Sequence, residues 1–406
     1  MSNKLQKMFG CGIIIFSIFI CNISIPVSAL PHAIVVSTNT LYVGGYGPNN
    51  YSAIQDAIDA ANVGDTVFVF NGTYYENIVI EKSIHLLGED RESTIIDGGF
   101  NGTVIEVMKD HFQDVLSISG FTVYLGSGYG ISVLFSAYLN ITNNKIINNR
   151  LEGIYLEKCE SCYIADNIIE HNNFQGIHLY ETGRITIKNN VIKYIDDVGI
   201  YLHQTFSSTI SGNTIEYNNV AGIDMSKCYN TSVYDNSIAH CSAGLYINYC
   251  SRCMIASNII SYCEIGLSVV SGLYNEIENN TFSKNMFALG IIDTELNSIT
   301  HNTFIDNTGY EIEGLKFDGL GIYESARGND ISFNDFINDD ICFGGHIPNT
   351  NKINNNYYSN WKWSIPKPIY GYKLIILNLD VELRMPWFII DWHPSKEPNE
   401  SCSMLV

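Results

Sequence analysis

Rings, imidazoles and carboxylates recur in this chain at alternate positions of short apolar segments: Tyr155 and Glu157, His178 and Tyr180, Tyr201 and His203, Asp224 and Ser226, Tyr246 and Asn248. Aromatic faces mixed with groups that exchange hydrogen bonds with hydroxyls suit a linear polysaccharide. Breaking a glycosidic bond asks for more: two carboxyls about 5 to 5.5 Å apart for retention, or roughly 6.5 to 9.5 Å apart for inversion. Asp196 and Asp197 stand just before the Tyr201 segment and, with Asp224, are the candidate acids; His203 is the candidate proton carrier. Asp197 with Asp224 is the preferred pair.

Sulfur offers a second chemistry. Of 11 cysteines, nine lie beyond residue 29, and Cys159/Cys162 and Cys250/Cys253 each form a Cys-x-x-Cys motif, the spacing of zinc ligands. Whether either chemistry is real depends on the elements that hold these side chains.

Those elements repeat. An apolar-x-x-Asn-x-apolar phrase carries Asn144, Asn167, Asn190, Asn213, Asn236, Asn258, Asn280, Asn302, Asn334 and Asn356 at spacings of 23, 23, 23, 23, 22, 22, 22, 32 and 22, so a single 10-residue insertion interrupts a regular array. Gly130, Gly153, Gly176, Gly199, Gly222, Gly244 and Gly266 keep the same beat, each opening an alternating segment too short for a helix. Such coils must stack as parallel strands, an all-β solenoid of the parallel β-helix type. With coils about 4.8 Å apart, the asparagines are expected to form a side-chain ladder, each tolerating a left-handed backbone conformation.

The same spacing sorts the chemistry. Glu157 and Asp224, three coils apart, are separated by about 14 Å and cannot form an acid pair. Cys159 and Cys250, four coils apart at about 19 Å, cannot share a zinc ion. Cys228 with Cys250, and Cys241 with Cys263, are vertical neighbours within the roughly 4.4 to 6.8 Å range of disulfide α-carbons. Either disulfides or stacked thiols fit there, and a soft-metal site of Cys228, Cys250 and Cys253 is a third reading. His178 and His203 lie offset on adjacent coils and read as surface histidines. No metal site is expected.

The segment YSAIQDAIDAANVGDTVFVFNGTYYENIVIEKSIHLLGEDRESTIIDG, Tyr51 to Gly98, resembles the opening of the right-handed β-helix proteins of the carbohydrate-binding and sugar-hydrolase (CASH) group, which includes the NosD proteins and sits beside pectin lyases and methylesterases. The resemblance covers about residues 40 to 360. It implies a right-handed helix, and together with the row of rings and carboxylates it leaves three readings: an exported protein that binds glycans or contributes to a cell surface without catalysis, a polysaccharide-acting enzyme (hydrolase before lyase), or a NosD-like copper-maturation accessory. The Asn-Thr-Asp, Gly-His-Gly and Arg-Ile-Lys signatures of polygalacturonases are absent, as is the Asp-Pro-His-Asp of mannuronan epimerases. A lyase would want an Arg or Lys base and often calcium, but Lys158 and Lys227 alternate away from the row, and Asp306, Glu311, Glu313 and Asp318 of the insertion lack calcium-loop spacing and read as a solvated acidic loop. Calcium is the one cofactor this chemistry admits, and none is firmly implied. Few methionines and no Met-x-x-Met argue against copper. PWFIIDWHP, Pro386 to Pro394, resembles the tails of archaeal surface β-helix proteins. Glycan binding is the leading expectation.

Residues 1–29 read as a signal peptide: Lys4 and Lys7 precede an apolar run, and Val27-Ser28-Ala29 suits cleavage. Its loss would move the formal charge from −20 to −22, since only those two lysines leave. An acidic chain is a poor polyanion binder, so nucleic acid is not an expected partner, and a membrane enters only if the apolar run stays as an anchor. A secreted or cell-surface location follows, which seven Asn-x-Ser/Thr sequons (Asn50, Asn71, Asn101, Asn140, Asn230, Asn279, Asn399) also fit. Residues 30–64 are expected to supply a strand and a capping helix, with Ile54, Ala57, Ile58 and Ala61 on one face; residues 65–360 the β-helix; and residues 361–406, with all four tryptophans, a cap and tail.

Overall fold

A computed structural model describes residues 39–108, 115–312, 315–345, 350–361, 365–378 and 381–399; the expected signal peptide, Glu313 and Cys402 lie outside them. The chain winds through about 13 turns of a parallel β-solenoid. Each full coil contributes three strands rather than the two that the sequence phrases display. In one coil these are Leu139–Thr142, Lys145–Ile147 and Ile154–Glu157, and they belong to three sheets of 14, 13 and 14 strands. The asparagine phrase straddles the corner between the first and second sheets, while the glycine phrase opens the third. Neighbouring coils pair in parallel, Ile154 with Ile177 and Ile177 with Ile200, so residues 23 apart are vertical neighbours. Parallel crossovers of this kind are overwhelmingly right-handed.

The core is built in columns. Ile146, Ile169, Ile192, Ile215, Ile238 and Ile260 give way to Phe282, Phe304, Phe336 and Tyr358, all buried. The rings of the latter four stack at 5.2, 4.6 and 5.1 Å. Gly176 is required by close approach: a Cβ there would stand 2.6 Å from the Gly199 carbonyl oxygen and 2.9 Å from Ile192 Cγ2.

The ten ladder asparagines stand in one buried column. Asn213 shows the pattern. Its backbone N–H and Nδ2 donate to Asn236 Oδ1 at 3.0 and 2.9 Å, Nδ2 also donates to Ile187 O at 3.1 Å, and its Oδ1 accepts from Asn190. The last rung is closed by Asp391, whose Oδ2 accepts from Asn356 N and Nδ2. The left-handed residue, however, is not the asparagine but the one before it, with φ of 57° at Asp166, 53° at Asn189, 65° at Gly212 and 55° at Asp235. The chain thus turns one residue early and delivers the following amide inward. Two further ladders run at the other corners: Asn285, Asn307 and Asp339 in one, and Asn275, Asn297, Asn329 and Asn351 in the other.

Both ends are covered. The helix Ile54–Ala60 buries Ile54, Ala57 and Ile58 against the first coils, with Ala61 buried just beyond it. No side chain next to its start caps it; Glu76, from the next coil, accepts from Ile54 N and Gln55 N at 2.8 and 3.0 Å. At the other end Lys367–Asn378 continues the third sheet in parallel and Val381–Asp391 returns antiparallel to it. Lys367 Nζ lies 4.0 Å from the Tyr358 ring centroid. Trp361 packs on the core, whereas Trp392 is exposed.

Replacing Asn213 by Ala leaves the Asn190 donors and the Ile187 carbonyl without their buried partner. Chemical denaturation should show a loss of about 1 to 3 kcal/mol, against little change for Asn219→Ala, an exposed asparagine of the same coil.

Candidate functional site

The third sheet positions the row of rings and carboxylates. Because its strands alternate, Tyr155, His178, Tyr201, Asp224, Tyr246 and Ser268 form one outward column, and Glu157, Tyr180, His203, Ser226, Asn248 and Val270 the column beside it. Apart from the buried Ser268, these side chains are half-buried rather than fully exposed. The reason is that they pack on one another. Ring centroids lie 4.9 Å apart for Tyr129 and Tyr155, 5.1 Å for Tyr155 and His178, 4.9 Å for His178 and Tyr201, and 5.4 Å for the parallel pair Tyr180 and His203. Tyr129 with Tyr155 and Tyr180 with His203 stack face to face, whereas Tyr155 meets His178 edge to face and His178 is tilted against Tyr201, so part of the ring surface is spent on neighbouring rings.

The polar atoms are held in place by neighbours that the sequence rhythm did not reveal. Tyr155 Oη donates to Glu157 Oε2 at 3.0 Å, and Lys158 turns back to pair with Glu157 at 3.4 Å. Glu152 Oε1 is 3.0 Å from His178 Nδ1, while His178 Nε2 and Asn248 Oδ1 are buried without a protein partner. Gln175 Nε2 donates to Asp197 Oδ2. Burial, with the nearby Asp197 charge adding to it, pushes Asp224 up to about 6. Burial and then Lys227 hold His203 below the usual imidazole range. Asp196 is exposed, with its backbone N–H bonded to Asn172 O, and is not brought to Asp224 as Asp197 is.

Past Tyr246 the outward column shrinks to Ser268, Gly290 and Gly321. A hollow of about 510 Å³ opens there. One side of it is lined by Tyr310 of the 10-residue insertion, which is not a solvated loop but an antiparallel hairpin, Tyr310–Ile312 with Leu315–Phe317. Phe317 and Asp318 are buried, and Lys316 pairs with Asp318 at 2.7 Å. Apolar residues on the hairpin won over its charge. A second ring stack was also missed: His171, Tyr194, Tyr217, His240 and Tyr262 lie parallel at 4.6 to 5.4 Å, at the left-handed turn between the second and third sheets.

All eight described cysteines are free and buried. Cys250 Sγ accepts from Cys228 N at 3.3 Å, so the coil spacing produced stacked thiols rather than the disulfides it allowed for Cys228 with Cys250 and Cys241 with Cys263.

The chain matches the family model described as "right handed beta helix region" over residues 175–336 and the one described as "periplasmic copper-binding protein (NosD)" over residues 58–248. No curated protein matches the sequence. Among solved structures it is similar to DFA-IIIase from Arthrobacter chlorophenolicus A6 in complex with GF2 (TM-score 0.60, 11% identity, covering 72% of this chain and 93% of that one). It is also similar to the A-module of mannuronan C-5 epimerase AlgE6 from Azotobacter vinelandii (TM-score 0.53, 13% identity, covering 75% and 88%). At these identities the likeness is one of fold. Among the described residues no group of three or more Cys, His, Asp or Glu side chains is arranged to hold a metal ion, so those present do not fit copper. Cys250 and Cys253 are hydrogen-bonded to neighbouring thiols and buried, which raises both and keeps them protonated.

Asp224 also sets a pH dependence. Its folded value of about 6 lies above the ordinary 3.8, so between those values the native state holds the extra proton and stability falls as pH rises. Asp224→Asn should therefore gain on the wild type in denaturation free energy from pH 4 to pH 6.5 and then stay level. A difference that is flat or opposite in sign contradicts the burial of this carboxyl.

Proposed function

We propose that this NosD-like right-handed β-helix protein works outside the cytoplasm and binds a polysaccharide along the outward face of its third sheet. The observation that carries the reading is the register: rings, imidazoles and carboxyls from five successive coils, Tyr155 to Tyr246, stand in one axial column. A polymer of repeating sugars meets the same kinds of group at each step of such a row. Because the rings pack partly on one another, hydrogen bonds from tyrosine hydroxyls, Asp224 and Asn248 would carry more of the affinity than stacking. The carbohydrate names of the solved relatives and the periplasmic description of the matched family support the reading. Among the described residues no helix is long and apolar enough to cross a membrane.

Asp224 favours a second reading, glycoside hydrolysis. A carboxyl raised to about 6 beside a second carboxylate, Asp197, has the asymmetry of a general acid and its partner. His203, on the neighbouring column, would then help to orient the substrate.

A glycan array probed with the chain beyond residue 29 should show binding that falls at least tenfold in Tyr201→Ala and in Tyr180→Ala; unchanged binding in both removes the row. Reducing-sugar release from the bound glycan, abolished by Asp197→Asn, would replace the binding reading with the hydrolytic one.

A further inference from the structure

The row does not run out at its far end; it is stopped. Beyond Tyr246 the column drops to Ser268 and Gly290, leaving the hollow, and at the next coil it meets rings. A Cβ on Gly321 would lie 2.4 Å from the Tyr323 ring and 2.6 Å from the Phe287 ring, so those two side chains already occupy the space above it. One coil further on, the place belongs to buried Cys342, which packs with Phe287 and Phe317 in a small apolar cluster separate from the main core. Phe317 comes from the inserted hairpin, as does Tyr310, whose hydroxyl lies 3.3 Å from that of Tyr323. The asparagine array is regular except for this insertion, and the insertion backs with Tyr310 and Phe317 the Phe287 and Tyr323 rings that end the row.

The hollow also has a charge preference. Glu264 stands where the chain enters the third sheet and Glu324 where it leaves, so a carboxylate flanks each side; no Lys, Arg or His is among the lining residues. Asp197 and Asp224 precede it along the row. In the hollow an anionic sugar would bring a carboxylate or sulfate between these two carboxylates with no lining cation to meet it. A neutral sugar brings hydroxyl donors, which carboxylates accept strongly. The volume of about 510 Å³ lies within the range of small-molecule pockets.

Resting on the glycan-binding reading above, we infer that the hollow is an end-recognition subsite: it takes the terminal unit of an uncharged sugar chain whose remaining units lie along the row from Tyr246 toward Tyr155. The chain is held by one end and in one direction. It is not a polyuronate.

The experiment titrates the full chain beyond residue 29 with maltoheptaose, cellohexaose, chitohexaose, an inulin-type fructo-oligosaccharide and an oligogalacturonate. Whichever neutral oligosaccharide binds is then tested again with a bulky fluorophore attached at one end or at the other. The expected result is binding by a neutral oligomer, at least tenfold weaker binding of the oligogalacturonate, and at least a tenfold loss when one particular end is blocked but not the other. Ser268→Phe, which fills the hollow, should weaken binding at least tenfold; the isosteric pair Glu264→Gln and Glu324→Gln, which leaves the fold undisturbed, should weaken it at least fivefold. Tight binding of the oligogalacturonate, or indifference to blocking at both ends together with unchanged affinity in the Gln variants, overturns end recognition while the row's role, read by Tyr201→Ala, survives. If none of the oligosaccharides binds, the inference falls together with the reading beneath it.

Discussion

Axial registry is the constraint on which everything else in this molecule depends. Parallel backbone pairing alone leaves a strand free to slip, and a slip by one residue would turn every side chain of a coil to the wrong face. The buried asparagine column removes that freedom, because each amide accepts from the backbone N–H of the asparagine one coil before it and donates to a carbonyl of that same coil. A coil one residue out of step would leave several buried polar groups unpaired. Between Asn144 and Asn356 the coil length is accordingly held to 22 or 23 residues, and the one large departure there sits in a corner, between the second and third sheets, where extra chain can leave the stack without disturbing it.

Registry on the inside imposes registry on the outside. The tyrosines, histidines and carboxyls of the third sheet are aligned because Ile154, Ile177, Ile200 and Ile223 beneath them are aligned. Alignment also brings acids together, since Asp197 and Asp224 lie near enough for one to raise the other. At the C-terminal end the same logic serves stability: Asp339 and Asp391 stand where the next asparagine of their ladders would be, and each accepts the donors that the last rung would otherwise leave exposed. Burial pushes both upward, Asp339 to about 7, and the negative charge of the chain as a whole acts in the same direction, against compactness at high pH.

The parts legible in the sequence were those that repeat without interruption. Ten asparagines and seven glycines in phase fixed the solenoid, the register and the outward columns. The other two asparagine ladders were harder to see because they are broken or short: Ile195, Cys241 and Cys263 interrupt one, and the other begins only at Asn275. The left-handed turn falls one residue earlier than expected because asparagine is suited to both roles, and only the backbone angle shows that Asp166 or Gly212 takes the left-handed conformation while the amide is reserved for bonding. The hollow left no positive mark at all. It exists because Ser268 has only a small side chain and Gly290 none, and because Tyr310 of the insertion packs inward beside them, whereas the acids of the insertion suggested solvent.

Hydroxyl-radical footprinting of the chain with and without a bound oligosaccharide tests the central claim most directly, since tyrosine, histidine and methionine report their own exposure residue by residue. The account predicts joint protection of Tyr155, His178, Tyr201, Tyr246 and Tyr323, with Met286 at the rim of the hollow, residues scattered through the sequence and brought together by the register of the third sheet. Protection confined to the His171, Tyr194, Tyr217, His240 and Tyr262 stack, or spread over all three sheets alike, would contradict it.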